Sequence, residues 1–156
     1  MNVEAFGTLM KDVTDAVGDR PLTPALGEEL DRLLPPAGAV FRTIETACHK
    51  AIAAGWMCTQ GGEGRRFGRV IEAGPATAGF SVDVVDLTDI VGPHHRHPNG
   101  EICMIMPVSP EARFDGKGVG WKVYPPGSAH RPTVTSGRAL VLYLLPEGQI
   151  EFTDAD

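Results

Sequence analysis

Three of the five histidines fall within four positions, in Pro93-His94-His95-Arg96-His97-Pro98-Asn99-Gly100-Glu101. Imidazole and carboxylate are metal ligands and proton carriers, so this stretch is where the chain can do chemistry. In an extended segment, side chains two apart share a face. His95 and His97 then point the same way, roughly 6.5–7 Å apart along the strand, and both can lean onto one ion. Pro98-Asn99-Gly100 is turn chemistry. It folds the chain back, so that Glu101 opens the return strand beside the histidines. A second turn, Pro125-Pro126-Gly127, delivers His130 to the start of another strand. A lone histidine in such a loop reads as a surface residue. Four ligand-type residues, His95, His97, Glu101 and His130, each at a strand edge, read as a metal site. Three imidazoles and a carboxylate suit zinc, iron, manganese, nickel or copper, and the set does not choose among them. His95, Glu101 and His130 are also the candidate catalytic residues, with Glu101 either a ligand or a proton shuttle.

The elements that must position these residues divide the chain near Gly61. Val3, Phe6, Met10, Val13 and Val17 have helical spacing, and Gly18 stops that helix. Thr23-Pro24 is an N-cap followed by proline at the first helical position, ahead of a stripe of Leu26, Leu30, Leu33 and Leu34. A third helix runs from about Val40 to Ala54, with Phe41, Ile44, Cys48 and Ile52 on one face and Gly55 closing it. His49 faces solvent on this helix. Beyond Gly61 the hydrophobic period becomes two. Segments 67–73, 80–87, 91–97, 101–107, 119–124, 130–135, 138–145 and 149–152 read as eight short strands, punctuated by glycine and proline. Arg138–Leu145 is nearly all apolar and is expected to be a central strand covered on both faces. The expected fold is mainly β: an antiparallel barrel or jelly roll over residues 61–156, with residues 1–60 as a helical appendage.

Arg65, Arg66, Arg69, Arg96 and Arg131 fall near the strands that would build the barrel mouth. Arginine recognises carboxylates through a bidentate fork. Arg96 and Arg131 adjoin proposed ligands and are the first candidates to bind substrate, although strand alternation can turn either outward. Trp121 and Tyr124 flank the turn before His130; core packing is the default reading for them, and lining an aromatic-substrate pocket is the second role. His94 alternates with His95 and is expected outside the site. Asp83 and Asp86 alternate with valines, so one of them can point inward. Cys58 and Cys103 have no neighbouring base and read as packed residues.

Composition narrows the partners. The charged share is 22 % and the formal net charge is −6, with no basic run, which argues against nucleic acid. No apolar stretch reaches the ~18 residues that span a bilayer, and the N-terminus lacks the basic and apolar regions of a signal peptide. Three cysteines without a C-x-x-C pair suit a reducing cytoplasm. An apolar helical appendage beside an open sheet edge invites a second copy, so a homodimer is expected.

The motifs H-x-H-x3-E and P-x-G-x2-H, at His95, His97, Glu101, Pro125, Gly127 and His130, resemble the two-part signature of the cupin superfamily. The resemblance implies four ligands meeting inside a small β-barrel around a divalent metal. The chain departs from the signature at Asp89, Val108 and Val134, positions that serve turns and packing. Within that superfamily, the stretch from Gly92 to Phe152 is similar to the 4-hydroxylaminobenzoate lyases of bacterial nitrobenzoate breakdown. That similarity implies conversion of 4-hydroxylaminobenzoate and water to 3,4-dihydroxybenzoate and ammonia, hence a small aromatic carboxylate substrate. The alternatives are a metal-dependent cupin dioxygenase acting on an aromatic or thiol substrate, or a non-enzymatic small-molecule-binding cupin, because one fold hosts many chemistries.

Overall fold

The chain was analysed as a computed structural model, which describes residues 1–153. Helix α1, Val3–Val17, begins where Asn2 accepts a hydrogen bond from the Ala5 N–H, and it buries Phe6, Met10, Val13 and Val17. Gly18 ends it, its N–H bonded to Thr14 O. Helix α2, Pro24–Leu33, starts at the expected proline, but the Thr23 side chain makes no capping bond. Leu26, Leu30 and Leu34 are buried, whereas Leu33 lies outside the stripe and is exposed. Helix α3, Ala39–Ala54, buries Phe41, Ile44 and Cys48 and closes on Gly55 in the left-handed conformation. No helix among the described residues is long and apolar enough to cross a membrane.

Ten strands follow: β1 Gln60–Gly62, β2 Arg65–Ile71, β3 Phe80–Val91, β4 His95–His97, β5 Glu101–Pro107, β6 Arg113–Phe114, β7 Gly120–Tyr124, β8 Ser128–His130, β9 Thr133–Pro146 and β10 Glu151–Phe152. All pairings are antiparallel. The larger sheet runs β1-β2-β3-β9-β5-β7, with β6 also on β9, and the smaller runs β10-β4-β8. The mainly β, antiparallel expectation holds, but no described strand pairing joins the two sheets, so they do not close into a barrel.

Three strand boundaries differ from the sequence reading for local reasons. Segments 130–135 and 138–145 are not two strands. The chain from Thr133 to Pro146 is one long strand with positive φ at Ser136 and Gly137, paired with β3 from Thr133 to Pro146. Segment 91–97 is instead broken: Val91 ends β3, and Gly92-Pro93-His94 turns the chain before β4. Pro93 has no N–H to extend a ladder. Strands β1 and β6, at three and two residues, are too short to carry a period and had no sequence signal.

Alternation assigns the two faces of the larger sheet. Val82, Val84, Ile102, Met104, Trp121, Leu140, Leu142 and Leu144 join the three helices in one apolar cluster. Leu87, Cys103, Ile105, Phe114, Val134, Val141 and Tyr143 form a second cluster on the opposite face. Arg138–Leu145 is thus covered on both sides, as expected. The helices are bonded to the sheet as well as packed on it. Asp31 of α2 accepts the Trp121 N–H at 2.8 Å. At Gly27 an added Cβ would stand 3.3 Å from the β7 backbone, so helix and strand approach too closely for a side chain.

Trp121 follows the core-packing reading and not the substrate-lining one, and it lies outside the cavity beside His95. Its indole is fully buried on the helical side, edge-on to Phe41 at 5.9 Å, with Nε1 donating to Leu34 O at 3.0 Å. Trp121→Phe should therefore destabilise the fold by about 1–3 kcal/mol, through lost volume and an unpaired buried carbonyl. KM for substrate should stay unchanged. Urea unfolding together with steady-state kinetics checks both halves.

Candidate metal centre and the cavity beside it

Two turns bring the ligand residues together. Gly100 has φ 88°, and a Cβ there would meet Leu22 Cδ2 and Tyr124 O at 2.9 Å, so the turn after Asn99 requires glycine. Gly127 has φ 83°. The N–H groups of Gly100 and Gly127 both donate to His97 O, at 3.2 and 2.8 Å, which ties the two turns at one carbonyl. Pairing of β4 with β8 then sets His95 opposite His130. Glu101 opens β5 opposite Tyr124. Asp89, one of the positions where the chain departs from the signature, adopts φ 39° and accepts the Gly137 N–H at 3.0 Å. Aspartate tolerates this region better than most residues.

His95, His97, Glu101 and His130 each present a ligand atom, and these atoms lie within 4.8 Å of one another. His97 and Glu101 are wholly buried. His97 Nε2 stands 3.1 Å from Glu101 Oε2, and His95 Nε2 3.8 Å from the same oxygen. His130 Nε2 is 3.9 Å from Glu101 Oε1 and 3.2 Å from His95 Nε2.

The outer ring nitrogens show which tautomer each imidazole holds. His130 Nδ1 donates to Asp115 Oδ2 at 2.6 Å, a carboxylate that can only accept. His95 Nδ1 faces the carbonyl of Pro93 at 3.4 Å. His97 Nδ1 meets Ser128 Oγ at 3.0 Å, and that hydroxyl donates its own proton to Pro125 O. A ring that carries its single proton on this outer nitrogen turns its Nε2 lone pair inward, and the outer contacts of all three rings suit that tautomer. Two such lone pairs face each other at 3.2 Å, an arrangement that calls for a cation between them. His97 Nε2 and Glu101 Oε2 are buried without a hydrogen-bond partner, each costing about 1–3 kcal/mol if left so. Ligand atoms ~2.0–2.2 Å from one ion stand about 3–4 Å apart, which matches most of the separations here. The residues fit a divalent ion, and the anchored Nδ1 groups are the outer partners such sites need.

Glu101 is ionised. Burial alone would raise its carboxyl, but the adjacent His95 and His97 rings and the Cys103 thiol hold it down to about 2. The Cys103 thiol donates to Glu101 Oε1 at 2.9 Å and leaves Oε2 for the centre. Burial, then the adjacent Glu101 charge, pushes that thiol well above its usual range, so Cys103 is a packed donor. Tyr124 tilts against His130 with ring centroids 4.4 Å apart, and its hydroxyl donates to Asp115. It packs the ligands rather than lining the cavity.

A cavity of about 300 Å³ opens beside His95. Arg65, Phe67, Arg69, Asp83, Tyr143 and Phe152 are among its walls. Phe152 lies edge-on to His95 at 5.7 Å. Burial and the nearby Glu101 charge push the Tyr143 phenol well above its usual range, so it remains a donor. Neither first-choice arginine lines this space. Alternation turns Arg96 away from His95 and His97, and its exposed guanidinium pairs with Glu151 at 3.2 Å. Arg131 is half-buried next to His130, outside the lining. His94, as expected, turns outward and meets Thr153. Of the two candidate aspartates, Asp83 lines the cavity, while Asp86 pairs with Arg138 at 2.8 Å.

Sequence reasoning missed Asp115, Ser128, Tyr143 and Phe152. Asp115 sits in Phe114-Asp115-Gly116, a turn signal that says nothing of its reach to His130. Cys103 was legible in principle, since residue 103 shares a face with residue 101.

The protein-family model described as 4-hydroxylaminobenzoate lyase (PnbB) matches residues 8–152. A 4-hydroxylaminobenzoate lyase of Pseudomonas putida is 27 % identical over 158 residues, covering 90 % of each chain. One from Nocardioides sp. (strain LMS-CY) is 28 % identical over 139 residues, covering 81 % of this chain and 82 % of that one. Among solved structures, an RmlC-like cupin protein from Ralstonia eutropha JMP134 is 12 % identical with a TM-score of 0.45, over 59 % of this chain and 61 % of that one. The family match runs from α1 through β10 and takes in all four candidate ligands, and the chain belongs to the 4-hydroxylaminobenzoate lyase family.

Proposed function

We propose that this chain converts 4-hydroxylaminobenzoate and water to 3,4-dihydroxybenzoate and ammonia, with a divalent ion held by His95, His97, Glu101 and His130. The observation that carries the reading is the convergence of three Nε2 lone pairs and one carboxylate beside an aromatic-walled cavity, in a chain of this family. A divalent ion bound there supplies Lewis acidity toward the hydroxylamine oxygen.

The reaction balances with water alone. The N–O bond breaks with its electron pair leaving on oxygen, which takes a proton and departs as water. One water adds at the ring carbon beside the nitrogen-bearing carbon. A second hydrolyses the resulting imine and frees ammonia. Two waters enter and one leaves, so no oxidant or reductant is required.

The chain's own residues supply position and protons. Phe67 and Tyr143 give the ring apolar walls, and Phe152, largely exposed, stands at the rim. Ionised Glu101 can accept a proton but has none to give near neutral pH. Tyr143, held as a phenol, offers a hydrogen-bond donor to oxygen or nitrogen of the substrate.

The test is ammonia release from 4-hydroxylaminobenzoate by metal-loaded protein in strictly anaerobic buffer. We expect one ammonia and one 3,4-dihydroxybenzoate per substrate consumed. Turnover that requires oxygen, or none at all, overturns the reading.

A further inference from the structure

The wall of the cavity is laid out in rungs across β2, β3 and β9. Arg65 pairs with Leu87, Phe67 with Val85, and Arg69 with Asp83, which pairs in turn with Tyr143. Two arginines therefore line one cavity, but they are not equivalent. Arg69 is engaged: its Nε stands 3.1 Å from Asp83 Oδ1, its Nη1 3.5 Å from Glu72 and its Nη2 3.1 Å from Gly148 O. The Asp83 carboxylate offsets its charge within the cavity. Arg65 is half-buried, and its guanidinium carbon lies 4.4 Å above the Phe67 ring. Among the described residues no carboxylate pairs with it.

Stacking on Phe67 holds the guanidinium flat and keeps its N–H edge available. It also draws the charge along β2 to the Phe67 rung. That rung is one same-face step, ~6.5–7 Å, from the rung of Tyr143. A ring laid along the sheet, with its para substituents at opposite ends, reaches from one rung toward the next.

Resting on the lyase reading, we propose that Arg65 receives the substrate carboxylate in a bidentate pair and is the specificity-determining residue for a para-carboxylated ring. The ring then lies against Phe67, and the hydroxylamino group points toward His95 and Tyr143. A ring without a carboxylate leaves the Arg65 charge unpaired and gains nothing from it.

The test compares wild type, Arg65→Gln and Arg69→Gln on 4-hydroxylaminobenzoate and on N-phenylhydroxylamine, which has the same reacting group and no carboxylate. Arg65→Gln should lower kcat/KM for the carboxylated substrate by about 10- to 100-fold, mostly through KM, as expected when a charge-assisted pair is lost. The uncarboxylated substrate should lose far less, since for it only the packing on Phe67 changes. A second readout needs no turnover. Calorimetry should show wild type preferring 4-aminobenzoate to aniline, and Arg65→Gln losing that preference. Equal losses on both substrates, or a preference that survives in Arg65→Gln and vanishes in Arg69→Gln, overturn the assignment. If the Arg65-dependent preference is seen but no ammonia is released by wild type, the Arg65 assignment stands and the lyase reading falls.

Discussion

Replacing His97 by alanine is expected to strip the divalent ion and abolish ammonia release while the chain still folds. His97 is wholly buried between its two roles. Its Nδ1 is anchored 3.0 Å from Ser128 Oγ, and its Nε2 stands 3.1 Å from Glu101 Oε2. Losing an outer partner of a metal ligand typically costs ~10–100-fold in affinity, and losing the ligand itself should exceed that range. Glu101 would also lose one of the groups that hold its carboxyl down to about 2, leaving a buried charge less well partnered. The fold should survive because neither apolar cluster contains any of the four ligands. A domain with a packed core does not depend on an ion as a zinc finger does. Elemental analysis after dialysis, with thermal unfolding alongside, is the measurement. A full complement of metal in His97→Ala would break the ligand assignment. A wild type that retains none of the common divalent ions after saturation would remove the centre altogether.

Asp115→Asn should weaken metal affinity by about 10–100-fold, and change how stability responds to acid. Asp115 Oδ2 accepts from His130 Nδ1 at 2.6 Å and from the Tyr124 hydroxyl, and Oδ1 accepts the Thr133 N–H at 2.9 Å. Asparagine cannot accept from every one of these donors, because one of its two terminal atoms is itself a donor. His130 then loses the carboxylate that fixes its proton outward and its ring in place. Burial alone would raise the Asp115 carboxyl, but the three donors outweigh it and leave it below its ordinary value of 3.8. A folded-state value below the unfolded one contributes stability that is fully present above the unfolded value and is lost as pH falls through the folded one. Metal-free wild type should therefore lose stability as pH falls through the acid range below about 3.8, in part through this group. Metal-free Asp115→Asn should be less stable at neutral pH but flatter across that window. Chelator competition gives the affinity, and urea unfolding at several pH values gives the slope. An unchanged slope with unchanged affinity would show that Asp115 does not hold His130.

The candidate ligand set was legible in the sequence wherever the relevant geometry is local. Period two puts His95 and His97 on one face, Pro98-Asn99-Gly100 returns Glu101 to them, and Pro125-Pro126-Gly127 delivers His130. These are consequences of strand pleat and turn conformation over a few residues, and the structure brings the four together as they imply. The three helices, with the Gly18 and Gly55 stops, were readable for the same reason. Tertiary structure alone decided what depends on register between distant strands. Asp115 reaches His130 only because β6 pairs with β9, beside the turn that follows β8. Arg65 and Arg69 become inequivalent only when β2 pairs with β3 and sets Asp83 opposite Arg69. Trp121 was ambiguous because β7 carries an aromatic residue on each face. Parity separates Trp121 from Tyr124, but it cannot say which face the helices will cover. Closure of the sheets is likewise invisible to local alternation, since a strand reads the same in an open sheet and in a barrel. Periodicity assigns a side chain to a face, and only the packing of whole elements decides what that face meets.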